Sequence, residues 1–572
     1  MRPMPTRAEV QAMLTGPGGP FEVIEDKVGG VPMRVYKERM KSLREVPALS
    51  AGRPEDETFI VYGDRRIGFG EFVSLANSAS TVLASQFGVG SGDRVAVLSA
   101  NNPEWCMAFW ATVDLGAVLV GLNGWWKTDE ILYGLQDSGA KVLVADRARF
   151  ERVADHLAAC PDLEAVFLID ADPIAGTSVP IHRFDELLAS PTTTLPDVAI
   201  DEDDPAVIFY TSGTTGRPKG AISTHRSMIA NLQNTIFNAV ASAMTGGAGL
   251  DSSGGQTASL LTSPLFHVSG CHSGLVVGLA AGVKIVIPVG RFDPTAAMEL
   301  IQNEKISVWA TVPTMVWRVV EHPDRHSFDL STITSVAYGG SPSAGELQRR
   351  VQETFPKVRT MGNAYGLTES SSVATVNSGQ DFLDKPESVG QAMPVVDLRI
   401  VTADGSSAPT GGLGEVWIKG PIIMPGYWNK PEATAEIITD GWLHSGDIGY
   451  VDADGFLFIT DRAKDMIIRG GENVYCVEIE NRLAEHPSIA EAAIVGVPHT
   501  TLGEEVKAVV RTEPGQTITE DEVRAWVAET LAAFKVPAYV EIVTDPLPRN
   551  ASGKLLKNVL RGEGEVSFAE TM

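Results

Sequence analysis

Cysteine is scarce: four residues in 572, at Cys106, Cys160, Cys271 and Cys476, no two of them at the spacing of a metal knuckle or a redox pair. A disulfide framework and a thiolate metal site are thereby excluded, and buried free thiols in a reducing compartment remain. Positive charge is short as well. Lys and Arg total 46 against 72 Asp and Glu, a formal charge of −26. So acidic a surface repels phosphate backbones and anionic lipid, which excludes a general nucleic-acid partner but not a local basic pocket for one nucleotide. Long apolar runs are also missing. Gly274 to Val283 is ten residues long and ends at Lys284, where a membrane span needs ~20. The N-terminus lacks the apolar stretch of a secretory signal. The expectation is a cytoplasmic protein with no integral membrane segment.

What the chain does have is a rhythm of short apolar runs and helical patterns. RVAVLSA (94–100), a helical stretch near Trp105 to Val120, KVLVAD (141–146), AVFLIDA (165–171), KIVIP (284–288) and SVWATVP (307–313) follow one another. Such alternation implies α/β architecture, with parallel sheets covered by helices. From about 390 to 460 the texture changes to glycine-rich strands such as GEVWIKG and GFLFITD, the pattern of an antiparallel sheet or small β-barrel. The last hundred residues read as a separate α+β unit: strand DMIIRG, a helix from about Val477 to Ala484, strands AAIVGV and VKAVVRT, a helix opened by a Thr519-x-x-Glu522 capping box, strand YVEIVT, and a final helix around Leu555. With no Pro/Gly linker near 461–465, the joint between the two units is short.

The most informative string is YTSGTTGRPKGA, Tyr210 to Ala221. Glycines let backbone N–H groups face a phosphate, hydroxyls donate further hydrogen bonds, and Lys219 adds charge. Lys219 is followed by Gly220 rather than Ser or Thr, so this is not the Walker loop of ordinary NTPases. A second glycine cluster, GVGSGD (88–93), precedes a strand instead of following one, and is a turn rather than a dinucleotide fingerprint.

The first string closely resembles the signature loop of the adenylate-forming (AMP-binding) superfamily, which includes acyl-CoA synthetases, peptide-synthetase adenylation domains and luciferases. PLFHVSG (264–270), AYGGSPS (337–343), NAYGLTES (363–370), GWLHSGDIGY (441–450), DRAKDMIIRGGENV (461–474) and PRNASGKLLK (548–557) match further family motifs, in family order. The resemblance implies a large N-terminal domain of two helix-covered β-sheets plus a small β-barrel (1–463), and a small mobile α+β C-terminal domain (464–572). It also implies two-step chemistry: a carboxylate attacks the α-phosphorus of ATP to give acyl-AMP and pyrophosphate, and a thiol then takes the acyl group.

Residue roles follow from the same resemblance. Thr211 and Glu369 fall where the family holds Mg²⁺, and Ser212, Gly213, Thr214, Thr215, Gly216 and Lys219 line the phosphates. Gly339, Gly340 and Ser341 lie beside adenine and the acyl pocket. Asn363, Ala364, Tyr365, Gly366, Leu367 and Thr368 continue that wall, with Tyr365 stacking on adenine. Asp447 matches the residue that accepts both ribose hydroxyls, and Arg462 one that also reaches the nucleotide. Lys554, in SGK, matches the adenylation lysine; Asn550 stands where Thr is common. Gly470 and Gly471 resemble the loop lining the pantetheine tunnel of coenzyme A, and Lys464 the hinge. The implied catalytic side chains are Lys554, His267, Thr211 and Glu369.

His267 occupies the position where amino-acid-activating members place an aspartate for the substrate ammonium. Histidine supplies no fixed negative charge, so an α-amino acid is disfavoured. Small residues at Gly339, Gly340 and Gly362 leave room for an apolar chain, and Cys271 replaces the bulky aromatic gate of some long-chain members. The expected substrate is a lipophilic carboxylic acid, a fatty acid first. No carrier domain follows residue 572, so free coenzyme A is the expected acceptor. The alternative is a stand-alone adenylation enzyme loading a separate carrier protein. A homodimer is compatible with the resemblance.

Overall fold

The computed structural model describes residues 5–174, 176–192, 194–211, 217–245, 255–339, 345–470, 472–550 and 553–562. Seven strands form one sheet, in the order Lys219–Thr224, Pro205–Thr211, Val118–Gly121, Arg94–Leu98, Val142–Asp146, Ala165–Ile169 and Ile181–Arg183. Every neighbouring pair is parallel except the first. A nine-stranded sheet contains six parallel strands, from Thr360–Tyr365 through Ser335–Gly339, Val308–Thr311, Ala258–Leu260 and Lys284–Ile287 to Thr58–Tyr62. Antiparallel strands flank it on both sides.

The inner strands of the seven-stranded sheet, Arg94–Leu98, Val142–Asp146 and Ala165–Ile169, are near-continuous buried apolar runs because both faces of the sheet are covered. Helix Pro103–Val113 is buried along its whole length. Its Trp105, Phe109 and Trp110 belong to a core that joins Val95 and Val97 of the seven-stranded sheet to Ile60 and Ile285 of the nine-stranded one. The two sheets therefore share one helical filling. This helix is shorter than its sequence pattern suggested. It ends at Val113, Gly116 turns the chain at φ +64°, and Val118–Gly121 becomes a strand. A helix-length apolar run proved to be two buried elements, which periodicity alone does not separate.

The glycine-rich segment forms a five-stranded antiparallel sheet: Asp397–Val401, Gly414–Lys419, Trp442–Val451, Ile438–Thr439 and Leu457–Arg462. After Arg462 the chain winds one turn, with the Asp465 and Met466 N–H groups both donating to the Arg462 carbonyl. A second five-stranded sheet then begins at Ile467. Its core gathers Ile479 and Leu483 of helix Cys476–Ala484, Ile494, Val506, and Val523 of helix Glu520–Ala528. Thr519 and Glu522 make the expected capping box. The last helix lies at Lys557–Leu560; Leu555 instead pairs with Arg549 across a loop. All four cysteines are buried and free, and among the described residues no helix is long and apolar enough to cross a membrane.

Asp114, which follows the buried helix, is 1% exposed. Its Oδ1 has no hydrogen-bond partner among the described residues, while Arg44 Nη1 donates to its backbone carbonyl instead. Burial pushes the carboxyl up to about 8. A folded-state value above the unfolded one means the acid is protonated in the fold. Its contribution is complete at low pH and lost as pH rises through about 8. Asp114→Asn should therefore gain on the wild type as pH rises, by about 1 kcal/mol or more at pH 9 relative to pH 5. Denaturant titrations of both proteins across that range check this; identical pH slopes would exclude a buried acid here.

Candidate active site

Three of the singled-out residues close parallel strands at their carboxyl ends: Thr211 ends Pro205–Thr211, Gly339 ends Ser335–Gly339 and Tyr365 ends Thr360–Tyr365. Ligands of α/β sheets bind outside that edge. The antiparallel sheet faces it with Asp447 and Arg462, which are register partners on adjacent strands.

Asp447 is 3% exposed. Its Oδ1 lies 2.8 Å from Arg462 Nε, its Oδ2 accepts the Tyr365 hydroxyl at 2.6 Å, and its N–H donates to Ser445 Oγ. An ionised carboxylate offers about four acceptor positions, so each oxygen keeps room for another donor. Desolvation first, and then the Asp447 charge, push the Tyr365 phenol well up, so it stays a neutral donor.

Lys554 enters from the small unit. Its loop is closed by backbone pairing of Asn550 with Lys554 and of Arg549 with Leu555. Asn550 Oδ1 also accepts from Lys554 N at 2.9 Å, so the residue at the departure from the family pattern takes part in fixing the loop. Burial, then the Arg462 guanidinium, push the Lys554 ammonium down to about 8, with Asp447 opposing. The three charges therefore lie within electrostatic reach of one another.

On the phosphate-loop side, Lys219 Nζ sits 5.2 Å from the centre of the Tyr427 ring, a cation–π contact. Tyr427 OH in turn donates to Glu369 Oε1 at 2.7 Å. Thr211 Oγ1 lies 3.4 Å from the Lys219 carbonyl across the hairpin. A cavity of about 400 Å³, lined among others by Leu367, Glu369, Tyr427, Ser445 and Arg462, joins this cluster to Asp447's partner. Tyr427 escaped the sequence reading. Its signal was an aromatic pair after the Pro425–Gly426 turn, but only the folded chain brings it to Lys219, through pairing of Tyr427 with Ala221.

Between them runs a tight loop, Gly366 to Ser372. A Cβ on Gly366 would stand 1.5 Å from the Ser372 carbonyl oxygen, so no other residue fits. Ser371 and Ser372 have φ of 49° and 108°, conformations that side chains other than glycine rarely adopt. They are held by Ser371 Oγ on Ser227 Oγ at 2.8 Å and by Ser372 Oγ with Ser273 Oγ at 2.7 Å. Leu367 N donates to Ser370 Oγ, Asn363 is buried, Ala364 lies within strand Thr360–Tyr365, and Thr368 opens the helical turn Thr368–Ser370. His267 is partly buried beside Phe266, and desolvation pushes it down to about 4, so its imidazole is neutral. His272, which the sequence reading passed over, is neutral for the same reason; its Nδ1 meets the Ser371 carbonyl at 3.2 Å.

Gly470 belongs to the small unit, where its N–H donates to Leu502 O. Lys464, an exposed residue of the turn after Arg462, stays within electrostatic reach of Arg462, Asp447 and Lys554. Gly362 does not simply leave room for a chain: a Cβ there would meet the Asn377 carbonyl at 2.9 Å, so the adjacent strand requires its smallness. Ser212, Gly213, Thr214, Thr215, Gly216, Gly340, Ser341 and Gly471 fall outside the described residues. Among the described residues no group of three or more His, Cys, Asp or Glu side chains could hold a metal. Thr211 and Glu369 supply oxygen donors of the kind Mg²⁺ accepts alongside phosphate.

Known proteins show the same organisation. The chain is 35% identical over 524 residues to a feruloyl-CoA synthase of Amycolatopsis sp, covering 91% of this chain and 99% of that protein. It is 32% identical over 554 residues to a long-chain-fatty-acid–CoA ligase of Bacillus subtilis (strain 168), covering 91% and 94%. The solved anthranilate CoA ligase AuaEII, in complex with anthranoyl-AMP, superposes with a TM-score of 0.83 at 25% identity, covering 92% of this chain and 97% of that one. Residues 48–428 match the AMP-binding enzyme family, and 478–554 the AMP-binding enzyme C-terminal domain. With the strand-edge site, the buried Asp447 pairings and these matches in place, the chain belongs to the AMP-binding, adenylate-forming enzymes, among the acid–CoA ligases.

Proposed function

We propose that this protein activates a lipophilic carboxylic acid with ATP, releasing pyrophosphate, and transfers the acyl group from the resulting acyl-AMP to coenzyme A. The observation that carries the reading is the meeting of Tyr365, Asp447 and Arg462 of the large unit with Lys554 of the small one. Asp447 has unfilled acceptor positions for ribose hydroxyls, and Tyr365 is oriented beside them by its own hydrogen bond. Lys554 brings a cation to the point where carboxylate and α-phosphate approach. Two anions react there, so fixed positive charge lowers the barrier where charge gathers. Lys219, aimed by Tyr427, serves the outer phosphates. Mg²⁺, where bound, would be held by Glu369 and Thr211 and would neutralise phosphate charge. The neutral His267 sits at the junction of acid and adenylate and provides no counter-charge for a substrate ammonium.

The domain division at 463/464 belongs to the same proposal, with Lys464 as hinge and Gly470 and Gly471 as the coenzyme A loop. It is supported by the break between the sheet ending at Arg462 and the one starting at Ile467. The fatty-acid assignment is supported by the Bacillus ligase and an aryl acid by the feruloyl-CoA synthase. A pyrophosphate-release screen over fatty, aryl, steroid-like and amino acids, with and without coenzyme A, separates them. Release with lipophilic acids and thioester only with coenzyme A is expected. A preference for α-amino acids, or thioester formed only on a carrier protein, would overturn the corresponding part.

Lys554→Ala should lower adenylate formation by ~10²–10³-fold, the scale of one preorganised electrostatic contact, while thioester formation from supplied acyl-AMP is largely spared. In the wild type the ammonium is lost as pH rises through about 8, so kcat/KM for the acid should fall above that pH. Lys554→Arg, charged throughout, should move the falling limb upward. Equal loss of both half-reactions in Lys554→Ala removes the lysine from the first step.

Asp447→Ala should raise KM for ATP by about tenfold or more, the scale of hydrogen bonds to a charged group. It also deletes the larger of the two carboxylate influences, Asp447 ahead of Asp465, that hold the Lys554 proton against Arg462 and Lys464. The alkaline limb should therefore move to lower pH. Steady-state ATP kinetics across pH 6–9 read both effects; an unshifted limb means that Asp447 and Lys554 do not communicate.

A further inference from the structure

The Lys554 loop rests on the large unit at a point that the phosphate chemistry does not require. Gly553, with φ +79°, is buried. A Cβ built on it would lie 3.0 Å from Thr314 Oγ1 and 3.2 Å from Val312 Cγ2. Those two residues flank Pro313, the first residue of helix Pro313–Val320, just after strand Val308–Thr311. Strand, proline and helix hold this backbone, so a side chain at Gly553 would press on both neighbours and be strained at its positive φ. Since Lys554 is the next residue, the seat sets where its ammonium can reach.

The seat has a second property. Thr314 Oγ1 is buried and has no hydrogen-bond partner among the described residues. A hydroxyl enclosed in this way forgoes the hydrogen bonds it would make to water. Gly553 is part of what encloses it, so the penalty exists in the docked arrangement and is relieved when the small unit lifts away.

We propose that Thr314 is a positioning residue with two effects: it indexes Lys554 for adenylation, and its unpartnered hydroxyl weakens that docked arrangement so that the small unit can leave for thioester formation. The inference rests on the two-step reading above. A unit that serves successive steps must neither miss its first position nor stay there, and a hard but destabilised contact meets both demands.

The test compares Thr314→Val, which keeps the shape and removes the hydroxyl, with Thr314→Ser, which keeps the hydroxyl, and with Gly553→Ala, which crowds the seat. Ferulic and palmitic acids are the substrates, and acyl-AMP and thioester formation are measured separately. Thr314→Val should retain adenylate formation and slow thioester formation from supplied acyl-AMP roughly tenfold, the scale of one buried unmade hydrogen bond. Thr314→Ser should restore the wild-type ratio of the two rates. Gly553→Ala should show the reverse bias, losing adenylation and sparing the thioester step. Equal loss of both steps in Thr314→Val would make the residue merely structural and overturn the proposal.

A readout independent of the acid keeps the two readings apart. Spin labels on cysteines introduced at the exposed Leu383 and Tyr539 report the spacing of the units, and the native thiols are all buried. Pulsed distance measurements should show Thr314→Val concentrated on the docked spacing relative to wild type. Unchanged distributions overturn the inference even where both acids react. A shifted distribution in a protein that activates no acid sustains the seat and rejects the function.

Discussion

One buried carboxylate organises this molecule's site. Asp447 is the register partner of Arg462, receives the hydroxyl of Tyr365 from the edge of the nine-stranded sheet, and opposes the loss of the proton on Lys554 from the small unit. Two cations gathered in a partly dehydrated space repel each other unless an anion sits among them. That constraint makes the antiparallel sheet more than a spacer, because it brings Asp447 and Arg462 to the edge where the parallel strands end.

Around that centre, steric limits do the work that charge does not. The Gly366–Ser372 loop bends so sharply that the Ser372 carbonyl occupies the space of a side chain on Gly366. Two serines are kept at positive φ by hydroxyl partners on neighbouring helical segments. Strained backbone survives where its surroundings over-determine it, and here those surroundings are helix His225–Met244 and the helical segment that carries His272. The loop cannot relax without disturbing the wall beside them.

The joint between the units shows the same economy of parts. Asp461, buried at the end of the antiparallel sheet, accepts from the first N–H of helix Cys476–Ala484 in the small unit. A carboxylate at a helix N-terminus is favourable, yet burial pushes Asp461 up to about 6. The contact that aligns the two units is thus itself partly opposed by desolvation. The unpartnered Thr314 hydroxyl is a second contact at which the units meet against a desolvation cost.

How much of this was legible in advance depends on the range of the interaction. The strands 94–98, 142–146 and 165–169, the Thr519 cap and the ordered motifs from Tyr210 to Lys557 are local patterns, and the sequence alone determined them. Local pattern failed where one apolar run was cut by Gly116 into helix and strand, because burial on all sides erases the periodicity that tells the two apart. It also could not show Tyr427 over Lys219, Asn377 crowding Gly362, or Thr314 under Gly553. Each of those contacts joins segments far apart in the chain, and whether a side chain is aimed, crowded or left without a partner is a property of packed distances. Sequence therefore set the chemistry available to this protein. Tertiary structure decided which of those groups act on one another's charge, which share a boundary, and which are left without a partner, because those are properties of packed distances.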